Sequence, residues 1–276
     1  MNKYLISLTV CIFFVSSCAS VEVTTNNVEN EKESPFEIDE NQKFLDFLEA
    51  DWEKTLTNNP LFATYTGDKR FNDKINPNTI DQFEKDRLSD LESLKKLNSI
   101  DYDKLNPDNK LNYNLKKFDI ESDLNLSQFP IYYLRLNQRG GIQSFYETGN
   151  RLVYQSKEDY YDWLNRLNQF SENILNFLEI NKQGLKNGYT QPKLVTQGVI
   201  SQIDAIINSD INSNPYLKVF IDADETLLSQ NEKLELINDA KELIINKINP
   251  AYIKLNNFLK NDYLVNSRDT IGIKDI

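Results

Sequence analysis

The chain of 276 residues contains no histidine, two cysteines, one methionine and eight glycines. The missing imidazole is the strongest exclusion. It rules out a Ser-His-Asp triad, a Cys-His dyad, histidine-ligated zinc and a histidine proton relay, and leaves carboxylate, lysine, tyrosine or hydroxyl chemistry. Two cysteines, Cys11 and Cys18, cannot make a disulfide framework. Basic side chains number 31 against 42 acidic ones, a formal charge of −11, and no basic patch interrupts that balance. A nucleic-acid partner is therefore not expected, because backbone binding needs clustered Lys and Arg. Alternating apolar and polar residues never run beyond a few positions, and no fixed repeat period is present, so neither a sheet nor a solenoid is expected.

What is present begins with a sorting signal. Residues 1–18 read MNKYLISLTVCIFFVSSC. Lys3 supplies a positive start and Tyr4 to Val15 an apolar stretch of signal-peptide length, too short to span a bilayer as a helix. Val15-Ser16-Ser17-Cys18 resembles a bacterial lipobox, an aliphatic and two small residues before a lipidated cysteine; an ordinary secretory signal is the alternative. Cleavage before Cys18 would discard Cys11, and lipid on the Cys18 sulfur would leave no free thiol. Ala19, in place of the Asp that retains such proteins in the inner membrane, favours the periplasmic face of the outer membrane. Residues 18–37 are polar and acidic and read as a disordered tether, with a reach of roughly 25 Å for about twenty residues. The expected organisation is thus a signal peptide over 1–17, a tether over 18–37 and a helical domain over 38–276, all-α and irregular in its helix lengths.

Helical periodicity dominates that domain. Asp39 is placed to cap a helix with Phe44, Phe47, Leu48, Trp52 and Leu56 on its buried stripe, ending before Pro60. A second follows Thr79, with Ile80, Phe83, Leu88, Leu91 and Leu94 inward. Pro107 opens a third, carrying Leu111, Leu115 and Phe118. Ser156 with Asp159 and Ser229 with Glu232 are capping-box patterns. Gly188 is placed to end the first of those helices. Pro192 begins another through Leu194, Val199, Ile203 and Ile206, and Pro250 should kink or break the last near Ile245 to Asn246.

Candidate chemistry is sparse. Asp222, Asp224 and Glu225 could offer oxygen ligands to a hard cation, but they lack the spacing of a calcium loop and stand where acids commonly precede a helix. Most aromatic residues fall at core spacing. Tyr132, Tyr133 and Tyr146 lie instead in the irregular stretch Leu126 to Val153, around Gly140-Gly141, where loops more often carry function, and Tyr154 directly follows it.

Three groups of segments carry a resemblance. They are NNPLFATYTGDKRFND from Asn58; LNQRGGIQSF from Leu136 with KEDYYDWLNRLNQF from Lys157; and GLKNGYTQPKLV from Gly184 with INPAYIKLNNFLKNDYLVNSRDTIGI from Ile248. In this order they resemble the N-terminal half of the bacterial domain of unknown function 885 family, whose members are similar to helical zinc metallopeptidases. The resemblance implies a zinc site built from a His-Glu motif, a Pro-Gly-His-His run and a Glu-Gly-Trp stretch in the other half. None of these occurs here, so no catalytic or metal residue carries over, and no zinc or other cofactor is expected in this chain. A truncated or split member is the leading expectation, anchored through lipid and partnered by a separately encoded C-terminal half. Such a half-domain should expose an unusually apolar face. The alternatives are a non-catalytic binding lipoprotein for a peptide or envelope partner, with Asn137, Arg139, Gly140 and Gly141 as its binding loop, and a decaying gene product.

Overall fold

Local capping marks the starts of the helices that begin at Glu40, Ile80, Pro107, Lys157 and Gln230. The computed structural model describes residues 39–272. The signal peptide, Cys18 and the tether lie outside the described residues. Ten α-helices follow: α1 (Glu40–Asn58), α2 (Pro60–Tyr65), α3 (Ile80–Leu97), α4 (Pro107–Leu126), α5 (Tyr146–Arg151), α6 (Lys157–Lys186), α7 (Lys193–Ile207), α8 (Lys218–Ile221), α9 (Gln230–Leu243) and α10 (Asn249–Phe258). The described residues contain no strand, only an isolated bridge between Pro192 and Arg268. The array is therefore all-α, as expected. No described helix is long and apolar enough to cross a membrane.

Asp39, Thr79 and Asn106 accept hydrogen bonds from the first-turn amides of α1, α3 and α4. Both capping boxes form, at Ser156 with Asp159 and at Ser229 with Glu232. Gly188 follows α6 at φ +82°, a left-handed position that spares glycine the Cβ penalty. Pro250 does not break its helix. Residues Ile244–Ile248 form a π turn in which the Asn249 amide donates to the Ile244 carbonyl. The wider turn accommodates the residue that cannot donate, and the helix continues into a second π turn at Leu259–Tyr263.

Two apolar clusters organise the packing. The larger gathers α6, α7, α9 and α10 around Trp163, Phe170, Val199, Leu236 and Tyr252. Each such side chain contributes about 1.5–3 kcal/mol on burial. The smaller joins α1, α3 and α4 through Phe44, Leu97, Tyr113 and Ile120. Here the expected stripes are only partly correct. Trp52, Leu88, Leu91, Leu111, Leu115, Phe118 and, on α7, Leu194 are exposed. Periodicity identifies residues that share a face, and α4 has two apolar faces, of which the one bearing Tyr113 and Ile120 is buried.

A buried cation ties the segment after α1 to the larger cluster. Arg166 of α6 donates from Nε to the Lys74 carbonyl at 2.9 Å, and from Nη2 to Thr64 Oγ1 at 2.6 Å and to the Pro60 and Phe71 carbonyls at 3.1 Å each. Four bonds from one planar group thus tie the Pro60 to Lys74 backbone to α6.

Candidate functional site

The loop after Leu136 is held by amides rather than by ionic chemistry. Asn137 Oδ1 accepts from the Arg139 amide at 2.9 Å, an Asx turn that reverses the chain. Gln143 Nε2 donates to the Asn137 carbonyl and to Gln202 Oε1 of α7, both at 2.8 Å. Gln202 Nε2 in turn donates to the Gln138 carbonyl at 2.9 Å. Three glutamines thereby clamp the loop onto α7.

Gly141 is required by this closeness. A Cβ there would lie 2.5 Å from the Asn137 carbonyl and 2.6 Å from Gln143 Oε1, whereas one on Gly140 would meet nothing within 4 Å. The clamp borders a cavity of about 320 Å³ whose lining includes Gln138, Arg139, Gln143, Tyr146, Glu147 and Gln202. Of the four loop residues expected to bind, only Arg139 lines it, while Asn137 and Gly141 shape the turn. Gln143 is 2% exposed and its Oε1 has no hydrogen-bond partner. The cavity itself is lined by amides, hydroxyls, the Arg139 guanidinium and the Glu147 carboxylate, groups that can hydrogen-bond or ion-pair with a ligand. Sequence reasoning missed Gln143 and Gln202 because their pairing spans 59 positions and no local pattern signals it.

Beneath the cavity wall, Tyr252 donates its hydroxyl to the Ile142 carbonyl at 2.9 Å, so Tyr216, 2.6 Å away, donates to Tyr252. Burial pushes both phenols well above the ordinary tyrosine range, with Tyr252 adding to the shift of Tyr216. They act here as neutral struts under the loop. The other loop tyrosines pack as well. Tyr132 stacks on Phe83 with centroids 5.0 Å apart, Tyr146 meets Tyr216 edge-on at 5.7 Å, and Tyr154 stacks on Tyr160 at 4.4 Å. Tyr133 is buried.

The acidic group divides among separate tasks. Lys218 pairs with Asp222 and Lys233 with Glu225. Asp224 accepts from the Thr226 amide at 2.8 Å, and that bond, with the Thr226 hydroxyl, holds its carboxyl below the usual range. Among the described residues, no three His, Cys, Asp or Glu side chains are grouped so as to hold a metal ion. With no imidazole among the 276 residues, the donor set does not fit a catalytic zinc.

A protein of Colwellia psychrerythraea described as a candidate lipoprotein shares the fold at TM-score 0.70 and 17% identity. The match covers 84% of this chain and 43% of that one, so the matched part of this chain spans less than half the length of that relative. No curated protein matches. The model of the family described as bacterial protein of unknown function (DUF885) matches residues 60–275. The chain belongs to the DUF885 family.

Proposed function

We infer that this chain is a cell-envelope lipoprotein, lipidated at Cys18, that supplies a non-catalytic helical scaffold. The resemblance implies zinc peptidase chemistry in histidine-containing segments that do not occur among these 276 residues. The observation that carries this reading is the donor set: the 276 residues hold no imidazole, the ligand on which catalytic zinc sites are usually built. Lipidation is tested by labelling cells with radioactive palmitate. Label and membrane association should both disappear in Cys18→Ser, and a membrane-bound, unlabelled wild type would overturn the lipoprotein reading.

A second reading, a binding lipoprotein for a peptide or envelope partner, is favoured by the cavity that Arg139 and Glu147 line with charge of both signs. Its test is a pull-down of cross-linked periplasmic partners. The wild type should capture a partner that Arg139→Ala loses, and equal capture by both would remove this site from consideration.

A further inference from the structure

We propose that the outer face of α4 rests on the lipid surface to which the chain is tethered. The inference rests on the Cys18 lipidation reading and adds a second contact to it. Leu111, Leu115 and Phe118 occupy one face of α4 at i, i+4 and i+7 and are 61%, 55% and 68% exposed. The opposite face already satisfies the smaller core through Tyr113 and Ile120. The exposed stripe is therefore surplus to folding.

Its position relative to the tether names the occupant. The described chain begins at Asp39, and two residues later Asn41 Oδ1 accepts from the Asn106 amide at 2.9 Å and from Asn109 Nδ2 at 3.0 Å. The start of α4 is thus bonded to the point where the segment from Cys18 enters the fold. Leu111 and Phe118 lie about 7 and 18 Å along the helix axis from that start. Both distances fall within the roughly 25 Å that the composition of residues 18–37 leads one to expect for their reach. A tethered protein holds this stripe at high effective concentration above the bilayer, so shallow insertion of three side chains suffices for contact. A protein partner would need far more surface than one convex helical face, about 800 Å² from each side.

Charge plays little part in this contact. Lys117 pairs with Glu121, and Lys110 lies over the Tyr102 ring at 5.3 Å. Neither is free to draw the helix toward anionic headgroups, and the chain carries −11 overall. The attraction is apolar and suits a zwitterionic bilayer.

The test uses the mature chain, residues 18–276, with the Cys18 thiol coupled to a maleimide phospholipid in phosphatidylethanolamine–phosphatidylcholine vesicles. Chemical coupling makes the outcome independent of cellular lipidation, which the palmitate experiment judges separately. Phe118→Trp reports the contact against the emission of native Trp52 and Trp163. Brominated acyl chains should quench the added emission at least twofold, equally at low and high salt. Quenching should vanish in Phe118→Trp carrying Leu111→Gln and Leu115→Gln, with an unchanged melting temperature as the check on folding. Absence of quenching in the tethered protein, or its persistence in the triple variant, would overturn the proposal. So would sedimentation showing that the untethered chain dimerises through this stripe.

Discussion

Lys69 Nζ contacts both carboxylate oxygens of Asp159, at 2.9 and 3.1 Å, across 90 positions of sequence. Asp159 also accepts from the Gln155 and Ser156 amides at 2.8 and 2.9 Å. One carboxylate therefore starts α6 and anchors the segment that follows α2. Burial alone would raise its pKa; the Lys69 bond and the two amides outweigh burial and hold it below the ordinary range. A depressed folded pKa means that the unfolded chain takes up the proton first, so stability is lost as pH falls. Asp159→Asn should cost about 1–3 kcal/mol at neutral pH. That difference should persist down to about pH 4 and shrink as pH falls through the lowered folded value. Urea unfolding across pH measures it, and a pH-independent difference would contradict the assignment.

The Arg166 guanidinium is 1% exposed and serves four acceptors from one rigid fork. Arg166→Met should therefore destabilise by about 1–3 kcal/mol, because the Lys74, Pro60 and Phe71 carbonyls and the Thr64 hydroxyl each lose a charged donor. Arg166→Lys should recover little, since an ammonium cannot reproduce the fork. Denaturant midpoints compare the three proteins, and full recovery by lysine would show that charge alone is required.

The adjacent glycines separate a steric requirement from a tolerant position. Gly140→Ala should change stability by less than about 0.5 kcal/mol, there being open space around it. Gly141→Ala should cost about 1–3 kcal/mol and displace the Asn137 carbonyl from Gln143. Hydrogen exchange at residues 137–144 should quicken only in the second variant. Equal behaviour of the two would remove the glutamine clamp as the reason for Gly141.

Caps were legible in the sequence because they act over three or four residues. Asp39, Thr79, Pro107, Ser156, Ser229 and Gly188 all mark the boundaries the structure has. Orientation was less legible. The Leu111, Leu115 and Phe118 stripe has the right period for a core and faces outward, because Tyr113 and Ile120 serve the small cluster from the other side. The π turn before Pro250 was hidden because proline chemistry forbids the bond without specifying which alternative register replaces it. Of the site, the glycine pair pointed to the loop, but the Gln143–Gln202 contact that closes it depends on how α7 returns to the loop.

The proposed scaffold role, without metallopeptidase chemistry, is tested most directly by zinc content and hydrolysis. Purified mature protein, equilibrated with zinc and dialysed, should retain far less than one zinc per chain by elemental analysis and should not hydrolyse a mixed peptide library. Stoichiometric zinc together with hydrolysis that a chelator abolishes and added zinc restores would contradict it.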